Sequence, residues 1–388
     1  MRSSGLSLPS IYAITDRRVS GIASHADMAR RLLEAGVRLL QVREKEMADR
    51  DLLAEVEAAA RLARQEGAVL LVNDRVDVAL LSGCGVHLGE EDLPSREARR
   101  ILPEGALIGV STHDFEAASR AFLDPSCDYV AFGPVLQSAT KRERTPRGVQ
   151  ELARVASVKT KPLVAIGGIT AESLDAVLDA GADSAAMVGG LLGGGRIEEN
   201  ARRVLDRARR REIPGRIFLV GFMGSGKTAI GRRIAERLGR PFVDLDAEIE
   251  RTSGVTIRAL FDADGEAAFR AREALFLEGT ASLPDAVVAT GGGCYARESN
   301  RSAISRLGTA VFLDVPLATL LARLSGKTDR PLFQSPEQAA QLYAEREPFY
   351  RMGTVPVVLE GDSVERSADR VLDALSARSR RSPVLQKP

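Results

Sequence analysis

Tryptophan is absent from this 388-residue chain, and all aromatic residues together make up only 4% of it. Proteins that hold single-stranded nucleic acid stack bases on such rings, so this composition argues against a base-stacking platform. Cysteine is scarce too: Cys84, Cys127 and Cys294 are widely separated and form no Cys-x-x-Cys pair. That argues against a zinc site and a disulfide framework, and for a reducing compartment. Charge of one sign is not in excess, since 54 Lys and Arg face 53 Asp and Glu for a formal net charge of +1. No global field therefore favours nucleic acid or a membrane surface. No apolar run approaches the ~18–20 residues that span a bilayer. The opening segment, MRSSGLSLPS, has no apolar core of signal-peptide length. A cytoplasmic location is expected, with neither nucleic acid nor membrane as partner. None of this bears on oligomeric state.

What is present is an ordinary globular composition, 44% hydrophobic and 28% charged, at a length that fits two domains. In the first half, short apolar runs alternate with helix-like stretches. The runs are 10–16 (SIYAITD), 38–44 (RLLQVRE), 68–74 (AVLLVND), 85–89 (GVHLG), 107–113 (LIGVSTH), 129–135 (YVAFGPV), 162–168 (PLVAIGG) and 184–190 (SAAMVGG). Each reads as a strand buried on both faces. The stretch 48–67 has helical periodicity and stops on Gly67. The stretch 170–181 has Thr170 as its N-cap and stops on Gly181. Eight such units predict a small (β/α)8 TIM barrel, with a doubly wound open sheet as the alternative; both place ligands at the strand carboxyl ends.

The chemistry-bearing residues fall at those ends: Asp16; Arg43, Glu44 and Lys45; Asn73 and Asp74; Glu91 and Asp92; Ser111 and His113; Thr140 and Lys141. The last two strands end in Gly167-Gly168 and Gly189-Gly190, where bare N–H groups can approach a phosphate. Asp74 and Asp92 are hard oxygen ligands suited to Mg²⁺. Arg43, Lys45 and Lys141 would surround a polyphosphate. The implied ligand is a magnesium diphosphate with a second phosphate on the glycine loops.

The segments YAITDR, LLQVREKEM, LLVNDRVDVAL, GVHLGEEDLP, GVSTH, DYVAFGPVLQSATK and PLVAIGGIT resemble thiamine-phosphate synthase over about residues 10–208. That family joins hydroxymethylpyrimidine diphosphate to a thiazole phosphate. The resemblance implies that Gln41, Arg43, Glu44, Lys45, Asn73, Ser111 and Lys141 hold the pyrimidine diphosphate, Lys141 also being catalytic. It implies that Asp74 and Asp92 hold Mg²⁺, and that Ser138, Thr140, Gly168, Val188 and Gly189 hold the thiazole phosphate. The chain departs from the family at Val188-Gly189-Gly190, where a serine is usual, and at Leu136-Gln137-Ser138, where aromatic-Pro-Thr is usual. The related thiazole tautomerase is the rival reading and would make His113 a proton-transfer residue. His87 and His113 are expected to be structural, and His25 to lie on the surface.

The run 202–214 is a basic helix, read as solvated, that ends at a Pro-Gly break; it serves as the junction between domains 1–212 and 213–388. An apolar strand at 216–220 (RIFLV) leads into GFMGSGKT at 221–228, which matches the phosphate-binding loop G-x-x-x-x-G-K-[ST] and is followed by a helical pattern. Such a loop cradles phosphates, its lysine reaches the outer ones, and its Thr228 offers a hydroxyl to Mg²⁺. The stretch 242–249 (FVDLDAEI) reads as a strand ending in Asp244 and Asp246. FRARE carries Arg270 and Glu273, a Gly291-Gly292-Gly293 turn follows VVAT, and Arg330 follows the polar stretch 325–329, which could act as a lid.

Together these resemble shikimate kinase over about residues 215–376, a P-loop kinase domain with a central parallel sheet. The resemblance implies that Gly224, Ser225, Gly226, Lys227, Thr228, Ala229, Arg323 and Arg330 bind ATP. Thr228 and Asp244 would serve Mg²⁺. Asp246, Arg270, Gly292 and Arg346 would bind shikimate, with Asp246, Lys227 and Arg330 catalytic. The expected whole is an α/β enzyme with two activities, one Mg²⁺ per active site, ATP as a substrate and small molecules as its partners, the alternative being one catalytic half with the other a binding or regulatory module. The basic end of the chain, 378–388, reads as a frayed tail.

Overall fold

Eight runs of Val, Ile, Leu and Ala become strands because helices cover one face and the barrel's own interior covers the other. They are β1 (Ile11–Thr15), β2 (Leu39–Val42), β3 (Val69–Asn73), β4 (Gly85–Leu88), β5 (Ile108–Thr112), β6 (Tyr129–Phe132), β7 (Leu163–Ile166) and β8 (Ser184–Met187). In this computed structural model, which describes residues 6–137, 145–324 and 335–381, they pair in sequence order and close into a barrel. Every pairing is parallel, β1 completing the ring against β8. The open-sheet alternative is thereby excluded.

Side chains alternate across the barrel wall. Ile11, Ala13, Leu40, Val42, Leu70, Val72, Val86 and Leu88 belong to the core under the helices. Tyr12, Ile14, Leu39, Leu71, Tyr129, Ala131, Val164 and Ala186 form a second core inside the barrel. The same alternation puts Gln41, Asn73, His87 and Ser111 on the inner face.

Local details differ from expectation at several points. The helix expected from Thr170 starts later, as Leu174–Asp179 with Ser173 as its N-cap. Thr170 instead gives its backbone N–H to Ser173 Oγ. The basic run forms the helix Ile197–Glu212, but it is not uniformly solvated. Ala201, Val204 and Ala208 are buried, and Arg209 is only 3% exposed, paired with Asp369 and Asp373. The final helix, Val364–Arg381, runs through the start of the segment read as a tail.

The chain divides into two compact units, Met1–Ala208 and Arg209–Pro388. The second is built on β9 (Arg216–Val220), β10 (Phe242–Asp244), β11 (Val287–Ala289), β12 (Gly308–Asp314) and β13 (Val355–Val358). Their order is β10-β11-β9-β12-β13, all parallel. The chain leaves β9 to one side and later returns on the other. The loop after β9 therefore opens at the switch point where such sheets bind ligands. No helix among the described residues is long and apolar enough to cross a membrane.

Candidate active sites

At the carboxyl end of the barrel, Asp16, Arg17, Arg18, Arg43, Glu44, Lys45 and Glu46 line a cavity of about 380 Å³. Arg43 donates to Asp16 at 3.0 Å, and Lys45 Nζ lies 3.7 Å from Asp74 Oδ2. Asp74 follows β3 with a φ of 64°, the left-handed region that few residues other than glycine adopt. Its backbone N–H is held by the His87 carbonyl at 2.8 Å. Strained backbone of this kind accumulates where a side chain must be aimed. Here it aims the Asp74 carboxyl at Asp92, to which it is hydrogen-bonded. Asp92 in turn accepts the Gly89 N–H at 2.6 Å.

Burial, reinforced by the Asp92 carboxylate, pushes Asp74 up to about 6 against the opposing pull of Lys45 and Arg43. Two carboxyls held together against their own repulsion, with cations alongside, fit a divalent cation with oxygen ligands. No cluster of three or more potential metal-ligating side chains exists among the described residues. Two carboxylates suit a Mg²⁺ site that takes waters and substrate phosphates as its other ligands.

Glu44 lines the cavity beside these cations and is held from the protein side. It accepts from Arg17, approaches His25 Nε2 at 3.1 Å, and takes the backbone N–H groups of Lys45 and Glu46 at 2.8 Å each. Those contacts with Arg17 and His25 hold it well below the usual carboxylate range, to about 2, despite burial acting the other way. It is thus the brace of the loop that presents Lys45. His25, expected on the surface, is fully buried, and its Nδ1 lies 2.7 Å from Thr15 Oγ1. His113 is turned to the Gly133 carbonyl at 2.6 Å.

On the far side of the mouth, Gly168 has a φ of 64°, and a Cβ there would stand 2.3 Å from the Gln137 carbonyl oxygen. Only glycine brings backbone this close. Val188 is half-buried and Gly189 exposed just after β8. Ser138, Thr140 and Lys141 lie outside the described residues.

In the second unit, Lys227 donates to the Gly221 and Phe222 carbonyls, each at 2.8 Å. Thr228 donates its hydroxyl to Asp244 Oδ2 at 2.7 Å. Asp244 also caps the helix Leu245–Ser253 through the Ala247 N–H. Asp246 therefore sits in the first turn of that helix rather than at a strand end. The hydroxyl and carboxylate pair supplies hard oxygens beside a phosphate loop, again suited to Mg²⁺.

Arg270 and Glu273 stand one turn apart on the helix Ile257–Gly279. Arg270 donates to both Glu273 oxygens, at 3.2 and 3.0 Å, and to Glu266. Burial raises Glu273 above its ordinary value, with Arg270 opposing and Asp246 adding to the rise. A Cβ at Gly291 would lie 2.5 Å from Glu273 Oε1 and 2.8 Å from Asp246 Oδ1, so the glycine turn is what lets both carboxyls reach this floor. Tyr350 donates to the Gly292 carbonyl and is hydrogen-bonded to Arg346. Arg323 reaches the Gly224 carbonyl at 3.2 Å. Gly226 and Ala229 complete the loop. Arg330 and the polar stretch before it lie outside the described residues.

The family model for thiamine monophosphate synthase matches residues 11–191, and that for shikimate kinase matches residues 223–376. A thiamine-phosphate synthase from Methanoculleus marisnigri is 39% identical over 208 residues, 53% of this chain and 98% of that one. A shikimate kinase from Halorhodospira halophila is 43% identical over 166 residues, 42% of this chain and 94% of that one. A solved shikimate kinase from Acinetobacter baumannii, in complex with shikimate, is 35% identical and covers 45% of this chain and 98% of its own, with a TM-score of 0.42. The chain belongs to the thiamine-phosphate synthase family in its first half and to the shikimate kinase family in its second. It is a two-headed transferase, one head of thiamine biosynthesis and one a phosphotransferase.

In the thiamine-phosphate synthase half, the structure joins Arg43, Lys45, Asp74 and Asp92 in one electrostatic group. It ties Gln41 to Tyr12 and Ser111 to His87. In the shikimate kinase half it joins Asp246, Arg270, Gly292 and Arg346 through Glu273 and Tyr350. The residues missed from sequence are the supports: His25 behind Glu44, Tyr12 and Tyr129 inside the barrel, and Tyr350 behind Arg346. Period-two alternation could have placed the two barrel tyrosines. Nothing local marks His25.

Proposed function

We propose that each half carries out its family's reaction with the residues assembled above. In the barrel the thiazole nitrogen attacks the pyrimidine methylene, the methylene carbon–oxygen bond breaks, and diphosphate leaves. Arg43 and Lys45, with Lys141, take up the negative charge that grows on the leaving oxygens. Gln41, Asn73 and Ser111 hold the pyrimidine, and the backbone around Gly168, Val188 and Gly189, with Ser138 and Thr140, holds the thiazole phosphate. In the kinase half a shikimate hydroxyl attacks the γ-phosphorus of ATP and the bond to the β-phosphate oxygen breaks. Asp246 accepts the hydroxyl proton. Lys227 and Arg330 steady the transferring group, the loop 224–229 and Arg323 hold ATP, and Arg270 and Arg346 clamp the shikimate carboxylate as bidentate partners. Magnesium bound by Asp74 with Asp92, and by Thr228 with Asp244, supplies charge neutralisation of the diphosphate and of the ATP phosphates.

The observation that carries this reading is the Asp74–Asp92 pair beside Arg43 and Lys45, a cradle for a metal diphosphate. The deciding experiment is a pair of assays on the intact chain, one for thiamine phosphate with diphosphate release and one for shikimate 3-phosphate. Absence of either product removes that half of the reading.

Magnesium binding should follow the Asp74 titration. The carboxylate is the binding form, and its pKa is raised to about 6. The half-saturating Mg²⁺ concentration for condensation is therefore expected to be roughly tenfold higher at pH 5 than at pH 7.5. A flat profile across that range would remove Asp74 from the metal site.

Arg270→Met should raise the shikimate KM about 100-fold and also destabilise the kinase half, because it leaves Glu273 buried without its cation. The double variant Arg270→Met, Glu273→Gln should recover thermal stability but not the KM. Recovery of both would make Arg270 a purely structural residue.

A further inference from the structure

Between Gln41 and Ser111 the barrel interior holds an unbroken run of hydrogen bonds whose middle members have no part in the proposed barrel reaction. Gln41 Nε2 lies 2.6 Å from the Tyr12 hydroxyl, which lies 3.0 Å from the Tyr129 hydroxyl. That hydroxyl is 2.8 Å from His87 Nδ1, and His87 Nε2 is 2.9 Å from Ser111 Oγ. The run crosses the barrel from β2 through β1, β6 and β4 to β5. Tyr12, Gln41, His87 and Tyr129 are all buried. The rings are fixed by packing: Tyr12 meets Tyr129 edge-on, and His87 stacks on Tyr129 at 5.6 Å. Gly109 makes room for this, since a Cβ there would lie 1.9 Å from Tyr129 Cζ.

Proton accounting gives the run a direction. The Gln41 amide nitrogen can only donate, so the Tyr12 oxygen accepts. Burial keeps both phenols neutral, each with one proton. Tyr12 passes its proton toward Tyr129; with the opposite sense the Tyr12 proton would be buried beside an oxygen already donating to it. Tyr129 then donates to His87 Nδ1, which puts the imidazole proton on Nε2, facing Ser111. Ser111 Oγ accepts it, and its own hydroxyl proton is the one left for a ligand. At the other end the side-chain amide oxygen of Gln41 is left as an acceptor.

We infer that Tyr12, Tyr129 and His87 are positioning residues that act as one polarised chain, making Gln41 an acceptor and Ser111 a donor toward the bound heterocycle. This rests on the proposed barrel reaction and deepens it: a ring with a donor on one edge and a bare nitrogen on the other is accepted in one orientation only. Hydrogen bonds in series polarise one another, so breaking any link should disturb both ends.

Two measurements on the full-length protein test this. Nitrogen-15 histidine NMR, with the His87 signal assigned by its loss in His87→Gln, should show a neutral ring protonated at Nε2. Tyr129→Phe, which keeps the ring and removes the link, should change that signal. A ring protonated at Nδ1, or a doubly protonated ring at pH 7, overturns the chain. In steady-state assays Tyr12→Phe and Tyr129→Phe should each raise the KM for the pyrimidine diphosphate about tenfold, the equivalent of one buried hydrogen bond. In both, kcat should stay within about threefold, and the double variant should be little worse than either single one. A KM within twofold of the parent, or effects that multiply, overturns it. Circular dichroism and the melting transition of the barrel in the same preparations verify its folding. If the parent makes no thiamine phosphate, the barrel reaction fails while the NMR result still decides the chain.

Discussion

Lys227→Ala is expected to lower shikimate phosphorylation by about 10³-fold and to leave thiamine phosphate formation within about threefold of the parent. The side chain is already bent into the loop, its ammonium shared between the Gly221 and Phe222 carbonyls. Those contacts keep a cation inside the loop, where the proposed reaction brings the outer phosphates of ATP. Alanine removes both the charge and the donor, and no other described lysine stands in the loop. Because the loss is of charge where charge develops, kcat should fall far more than the KM for ATP rises. Lys227→Met keeps the length of the stem and should lose the same activity, which separates charge from packing. Both activities are read on one preparation. A kinase loss below tenfold would remove Lys227 from the reaction, and an equal loss in both assays would mean that the two heads depend on one another.

Much of this arrangement was legible because its signals are local. Eight apolar runs with chemistry at their ends announce a βα barrel, while the inward placement of Gln41 and His87 follows only once the barrel has closed. The phosphate loop is legible for the same reason: strand, glycines, lysine and helix follow one another in a single stretch. What stayed hidden depends on contacts between distant segments. His25 begins the helix His25–Glu34, where a histidine is usually wet, and only the arrival of Thr15 and Glu44 buries it. Arg209 lies in a run of arginines that looks solvated until Asp369 and Asp373 are folded onto it. That Glu44 also takes the backbone N–H groups of Lys45 and Glu46 is a contact no sequence pattern announces. The helix starts at Leu174 rather than at Thr170, and Ser173 Oγ takes the Thr170 N–H without capping the helix. Sequence pattern thus finds candidate groups at the strand ends, and misses the groups that hold them in place.

Asp74→Asn separates stability from function most clearly in the barrel. The folded protein raises the Asp74 pKa from 3.8 to about 6, so it holds a proton there that the unfolded chain has already released. Stability from this site is present at low pH and is lost as pH rises through that window. Above pH 6, without metal, two carboxylates face each other in a half-buried site at a cost. Asparagine has no charge to lose, so the metal-free variant at pH 8 should melt higher than the parent, by about 2–4 °C in the barrel transition. Magnesium should raise the melting temperature of the parent and do little for the variant, since binding to the folded state is what stabilises. Condensation should fall about 100-fold or more, the Mg²⁺ requirement should shift to higher concentration, and shikimate phosphorylation should be unaffected. Such a residue spends stability on readiness for a cation. A metal-free variant that melts lower than the parent, or one that keeps the parent's response to Mg²⁺, would show that Asp74 serves the fold and not the metal.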